Sequence, residues 1–89
     1  MKMRILKYQL PAMGGCDMEL PIGATVLSIH VQNDLPYLWA LVDPNARGVV
    51  MRTFVVMQTG EYFELKDMFF VGTFLLDGET YVGHVFEKP

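Results

Sequence analysis

Apolar and polar residues alternate along most of this 89-residue chain. In Arg4–Leu10 every second residue is apolar, and Cys16–Leu20 and Thr25–Gln32 repeat the pattern. A period of two is typical of a β-strand that buries one face and leaves the other in solvent. We therefore predict strands at these three segments, and we expect the first two to pair antiparallel.

The third and fourth segments differ in how much of each strand is apolar. Thr25–Gln32 has one apolar face, which carries Leu27, Ile29 and Val31. After a predicted turn at residues 33–36, Tyr37–Val42 is apolar on both faces. Such a segment is typical of a central strand, or of a strand whose second face is an interface.

The C-terminal half adds three predicted strands. Val49–Thr59 alternates again, and Asp77-Gly78 joins two apolar, β-branched segments, Met68–Leu76 and Thr80–Glu87. Asp-Gly between such segments is the strongest short signal for a β-hairpin. Glu61–Asp67 is the only stretch with helical character, and it is long enough for one amphipathic turn at most.

These segments predict an all-β fold. About seven short strands at regular spacing indicate a small antiparallel sandwich or a barrel-like meander. A chain of 10.1 kDa is too short to build two independent cores. We therefore treat residues 1–89 as a single domain.

Composition narrows the class of protein. The chain is 52% hydrophobic and 19% charged, which is too apolar for a disordered protein. Its net charge of −3 provides no broad positive field, so direct nucleic-acid binding is not expected. No apolar run approaches the length of a membrane span. A domain this small cannot bury so much apolar surface alone, and we expect a homodimer or a protein-binding face.

The residues suited to metal binding or nucleophilic catalysis are few and scattered. Cys16, His30 and His84 lie far apart and show no paired ligand spacing, so we expect neither a metal site nor a cofactor. A lone cysteine in an alternating strand is typical of a small core residue rather than a nucleophile, and it fits a reducing cytoplasm. We therefore expect a protein that is not an enzyme.

Aromatic and cationic residues supply the candidate binding residues. Tyr37 and Trp39 share one strand face, so Trp39 either packs in the core or contributes to a platform for a ligand or partner. Arg47 and Arg52 are suited to phosphate contacts or to pairing with carboxylates, and His84 lies on an otherwise apolar face. The candidates are Tyr37, Trp39, Arg47, Arg52, Tyr62, Phe63, Phe69 and His84.

Several short sequence motifs occur together in this chain. Two of them are Leu-Trp-Ala-Leu-Val-Asp-Pro at Leu38–Pro44 and His-Val-Phe-Glu at His84–Glu87. Others are Lys7–Pro11, Arg52–Phe54, Thr59-Gly60 and Gly72–Phe74. Together they resemble a family of small, uncharacterised proteins encoded by phages and bacteria. The resemblance implies a phage origin and no particular activity. The chain departs from the family pattern between Gly60 and Phe70, where it is unusually apolar.

Three functions remain open. The first is a non-catalytic, phage-encoded protein that inhibits a host or antiviral-defence protein by occupying its surface, in the host cytoplasm. The alternative is a dimer that sequesters a small signalling nucleotide, with Tyr37 or Trp39 stacked on the base and Arg47, Arg52 or His84 at the phosphate. A structural subunit of a virion also fits an expected dimer.

Overall fold

The structure, a computed structural model, describes all residues from Met1 to Pro89. It consists of seven β-strands and no helix, and each predicted strand corresponds to an observed one. The all-β prediction is confirmed. The strands are β1 (Arg4–Gln9), β2 (Gly14–Pro21), β3 (Thr25–Gln32), β4 (Leu35–Val42), β5 (Val49–Gln58), β6 (Phe69–Leu76) and β7 (Tyr81–Lys88).

The strands form two separate antiparallel sheets, which corresponds to the sandwich alternative. One sheet has three strands in the order β1-β4-β3, and the other has four in the order β2-β5-β7-β6. The chain crosses between the sheets after β1, after β2 and after β4. β4 is the central strand of its sheet, and its inner face is fully apolar, with Pro36, Leu38, Ala40 and Val42 all buried.

The core lies between the two sheets. Its largest buried side chains include Phe54 of β5, Leu38 of β4 and Val85 of β7. β3 and β6 approach closely at Gly72, where an added Cβ would lie 2.9 Å from Cγ1 of Ile29. Gly72 therefore allows the two sheets to meet on this side of the sandwich.

Two hairpin turns meet at one end of the molecule. Asn33 and Asp34 both have positive φ, as a two-residue hairpin turn requires, and they join β3 to β4. The predicted Asp77-Gly78 hairpin is confirmed, with a four-residue turn at residues 77–80. The backbone N–H of Asp77 donates to Oδ1 of Asp34 at 2.8 Å, which links the two turns across the sandwich.

The predicted pairing of the first two strands is wrong. β1 pairs with β4 and β2 pairs with β5, so they belong to different sheets. Each has one apolar face, and the two faces line the same core from opposite sides. A period of two identifies such a face but does not identify the neighbouring strand.

Three local predictions also need correction. A bulge between Val26 and Ser28 directs Val26 toward the core and leaves Leu27 exposed, so Leu27 does not join Ile29 on the buried face. β4 begins at Leu35, so only two of the residues 33–36 form the turn. Residues 61–67 form no helical turn. A segment so short is stable as a helix only where packing supports it, and all seven residues are exposed.

Candidate binding surface

The outer face of the four-stranded sheet is largely apolar. Strand register places Phe86 between Val55 and Phe70, and Val82 opposite Leu75. We call the outward side chains of β5, β7 and β6, together with Phe63 above them, the apolar face: Met51, Val55, Met57, Phe63, Phe70, Leu75, Val82 and Phe86. The three strands carry no carboxylate on this side, and their single lysine, Lys88, lies at the end of β7.

Three phenylalanine rings form the centre of the apolar face. The ring of Phe63 lies 5.3 Å from that of Phe86, and the ring of Phe70 lies 5.6 Å from it in an edge-on arrangement. These spacings are typical of favourable aromatic pairs. Phe70 nevertheless remains 61% exposed and Phe63 41% exposed, so the cluster presents ring surface to solvent.

The segment between β5 and β6 brings Phe63 over the sheet. The turn after β5 is closed by two hydrogen bonds: the N–H of Glu61 donates to the Gln58 carbonyl, and the N–H of Gln58 donates to Oε1 of Glu61. Tyr62 projects fully into solvent beside Phe63. Of these two adjacent aromatic residues, only Phe63 packs on the sheet.

A polar group lies within the apolar face. Nε2 of His84 is 2.7 Å from Oγ1 of Thr59, and Nδ1 is 3.0 Å from Oγ1 of Thr73. Both ring nitrogens therefore have hydroxyl partners, and the imidazole is held in one orientation. The polar atoms of the imidazole are therefore satisfied within the chain.

An acidic strand borders the apolar face. Asp17 and Glu19 of β2 lie opposite Thr53 and Met51 on the same side of the sheet, and both are exposed. Thr53 donates its hydroxyl to Oδ1 of Asp17 at 2.7 Å, which fixes the position of one carboxylate. The border of the apolar face is therefore negative along β2.

Tyr37 and Trp39 lie on the opposite side of the molecule, on the outer face of the three-stranded sheet. Both are half-buried, and neither belongs to the core between the sheets. The Lys7 ammonium lies 4.6 Å from the Tyr37 ring centre and 5.8 Å from that of Trp39, and it donates to Oε1 of Gln32. The indole N–H of Trp39 is buried without a partner.

Arg52 links β7 of its own sheet to the connection between β2 and β3. Nε and Nη2 bind both carboxylate oxygens of Glu87, at 2.7 and 2.9 Å, and Nη1 donates to the Ala24 carbonyl at 2.7 Å. The hydrogen bond to Glu87 raises the pKa of Arg52 and keeps the guanidinium charged. All three nitrogens are engaged within the chain, which favours a structural role over a phosphate contact.

Arg47 lies in the turn between β4 and β5, with an exposed side chain. The adjoining residues help to wall a shallow groove of about 270 Å³ at the end of the sandwich. Its lining includes Arg4, Leu6, Val42 and Asp43. The volume lies just below the range of about 300–1,000 Å³ typical of small-molecule sites.

Cys16, His30 and His84 occupy three different surfaces. Cys16 lies on the inner side of β2, His30 on the outer face of the three-stranded sheet and His84 on the apolar face. Burial, and to a smaller extent Asp17, raises the pKa of the Cys16 thiol. No imidazole is positioned to deprotonate it, and no cluster of three metal-ligating side chains forms.

The structure brings together three of the eight candidate residues. Phe63 and His84 lie on the apolar face and Tyr62 lies beside it, whereas Phe69 points to the other side of β6, opposite Glu87. Tyr37, Trp39, Arg47 and Arg52 lie elsewhere. Five residues of these surfaces were not among the predicted candidates: Phe70, Phe86, Thr59, Thr73 and Lys7. The alternation of aromatic residues with uncharged ones in β6 and β7 was the available signal for Phe70 and Phe86.

The geometry defines a small two-sheet β-protein with an apolar, aromatic outer face. The whole chain, residues 1–89, matches the family described as Domain of unknown function (DUF7352), and the protein belongs to that family. No curated protein and no solved structure matches the chain. The structure contains no helix that could span a membrane.

Proposed function

We propose that this protein is a non-catalytic binding protein that docks on a partner protein through the apolar face. The observation that carries the proposal is the cluster of Phe63, Phe70 and Phe86, whose rings contact one another in tilted and edge-on arrangements while Phe63 and Phe70 stay accessible to solvent. Contiguous exposed apolar surface of this kind is typical of interaction sites. Exposed aromatic residues are also enriched among the residues that dominate binding energy.

The surroundings of the cluster favour a protein over a small molecule as the partner. The apolar face is a sheet surface rather than a cavity, and the one imidazole within it, His84, is already hydrogen-bonded. Asp17 and Glu19 form a negative border. We infer a partner whose apolar surface is flanked by basic residues, because complementary charges at the rim speed and orient docking.

The finer proposal is that the protein is phage-encoded and inhibits a host or antiviral-defence protein by occupying its surface in the cytoplasm. Its support is the resemblance carried by Leu38–Pro44 and His84–Glu87, together with the acidic character of the chain. The segment where the chain departs from that pattern contains Phe63 and Phe70. A partner-binding segment is expected to vary with the partner.

The test is affinity capture from a bacterial host, followed by titration of the captured partner with two matched variants. Phe63→Glu places a charge at the centre of the apolar face, and Ile5→Glu makes the same change at a 58% exposed position on the other sheet. We expect Phe63→Glu to weaken binding about 30-fold or more, which corresponds to a hot-spot loss of about 2 kcal/mol. Equal affinity of the two variants for the partner would contradict the proposed surface, and recovery of no partner would contradict the proposed function.

The nucleotide-sequestering dimer remains the second candidate, and one observation favours it. Lys7 holds a cation beside the aromatic pair Tyr37 and Trp39, and no carboxylate lies on the strands of that sheet. Lys7 would then make the phosphate contact instead of Arg52. Thermal stabilisation by a nucleotide that disappears in Trp39→Ala and Lys7→Ala would support it, whereas no stabilisation across a nucleotide panel would exclude it.

A further inference from the structure

The four strands at the sheet edges differ in how they are protected. β1 and β2 are edge strands, and they carry the exposed charges Arg4 and Lys7, and Asp17 and Glu19, respectively. Charged side chains on an edge strand prevent it from pairing with another chain. Both edges on this side of the sandwich are therefore protected by charge.

The opposite edges carry no such charge. β6, with the sequence Phe-Phe-Val-Gly-Thr-Phe-Leu-Leu, contains no charged residue and no proline, and the same is true of β3. β6 pairs with β7 on one side only, and no backbone hydrogen bond outside the two sheets involves residues 69–76. A long, neutral, aromatic and β-branched edge strand with free backbone groups is a template for strand pairing.

We propose that β6 forms the interface of a homodimer, in which it pairs antiparallel with β6 of a second copy about a two-fold axis. A second copy fits this edge because two identical neutral strands meet without repulsion, whereas β1 or β2 would oppose like charges. The product is a continuous eight-stranded sheet. This proposal concerns the edge of the sheet and does not depend on the proposed function of its outer face.

The geometry of β6 defines which part of the strand pairs. The bulge between Phe70 and Gly72 interrupts the pairing with β7, and Gly72–Leu76 continues as a regular strand. Five residues of a strand span about 16 Å, and roughly every second residue offers its N–H and C=O to the free edge. Leu75 lies within this segment and is 43% exposed, so it adds an apolar contact to the backbone pairing.

Charge substitutions test the interface. We expect the wild-type protein to sediment as a dimer that dissociates on dilution. The variants Leu75→Lys and Leu75→Glu are each expected to be monomeric, because a two-fold axis through Gly72–Leu76 brings the two copies of position 75 close together on one side of the sheet. An equimolar mixture of the two is expected to recover a dimer. A monomeric wild type at all concentrations, or a mixture that stays monomeric, would overturn the proposal.

Two controls distinguish the edge from other surfaces. Met51→Lys changes a 56% exposed position on the apolar face away from β6, and Ile5→Lys changes an exposed position on the edge strand β1. Both variants are expected to remain dimeric, and loss of the dimer in either would overturn the β6 interface. In the wild-type dimer, hydrogen exchange should show protection of consecutive amides across Gly72–Leu76. Protection of every second amide alone would show an unpaired edge and contradict the proposal.

Discussion

Gly83 in β7 is the glycine of the four-stranded sheet that a neighbouring side chain approaches most closely. A Cβ at this position would lie 2.7 Å from Cε2 and 2.9 Å from Cε1 of Phe74, the residue directly opposite on β6. Phe74 is 2% exposed and belongs to the core, so its ring has little room to retreat. The aromatic ring lies over the glycine and covers its backbone, as in other cross-strand glycine–aromatic pairs.

We predict that Gly83→Ala destabilises the protein. A methyl group inserted into a packed core costs about 1–3 kcal/mol. For a domain of this size, each kcal/mol lowers Tm by about 4–8 °C, so the loss in Tm is about 4–24 °C. The assay is thermal and urea denaturation followed by circular dichroism.

Gly15→Ala is the matched control. Gly15 also lies in a strand, its φ is not positive, and the nearest atom to an added Cβ is 3.9 Å away. This substitution is expected to be neutral or to stabilise the protein by about 0.4–1 kcal/mol, because alanine reduces the entropy of the unfolded chain.

A second substitution tests the cause of the destabilisation. In a Phe74→Leu background the ring is absent, so the cost of Gly83→Ala should become smaller than in the wild type. A Gly83→Ala variant as stable as Gly15→Ala would refute the steric reasoning. An unchanged cost in the Phe74→Leu background would assign the effect to something other than the ring.

Three further predictions concern individual side chains. Arg52→Met leaves the half-buried Glu87 carboxylate and the Ala24 carbonyl without their partner, and it should lower the free energy of unfolding in urea by about 1–3 kcal/mol. Arg52→Lys should have intermediate stability because lysine lacks the bidentate fork. Equal stability of Arg52→Lys and wild type would argue against the bidentate pair. Cys16 should react with iodoacetamide more slowly than free cysteine at neutral pH and faster as the pH rises, because its pKa is raised. An alkylation rate at neutral pH equal to that of free cysteine would contradict the raised pKa of Cys16. Because the folded pKa exceeds the unfolded one, the neutral thiol contributes to stability below the unfolded pKa, and this contribution is lost as the pH rises through the folded pKa. Thr59→Val and Thr73→Val should each lower the free energy of unfolding by about 0.5–1.5 kcal/mol, because each leaves a His84 ring nitrogen without its hydroxyl partner. An unchanged Tm in both variants would show that these hydrogen bonds do not stabilise the fold.

Strand positions could be predicted from sequence because burial imposes a period of two. The alternation in Val49–Thr59 identified β5, and Asp77-Gly78 identified the last hairpin. Pairing could not be predicted in the same way, since β1 and β2 have equivalent patterns and belong to different sheets. The bulge beside Leu27 also left no mark in the alternation.

The candidate site was predictable only in part, for a related reason. Tyr62 and Phe63 are adjacent in an unusually apolar segment, and that composition indicated a partner-binding segment. The partner of Arg52 is Glu87, 35 positions away, and composition around Arg52 gives no sign of it. Lys7 reaches the aromatic pair through the register of β1 with β4, which depends on the fold as a whole.

Site-directed photo-crosslinking in bacterial cells tests the central proposal most directly. A photoreactive phenylalanine analogue at position 63 places the probe at the centre of the apolar face, and the same analogue at position 5 places it on the exposed outer face of the other sheet. The expected result is a discrete crosslinked product with one partner protein from position 63 and none from position 5. A partner crosslinked from position 5 alone, or the same products from both positions, would contradict the assignment of the apolar face as the docking surface.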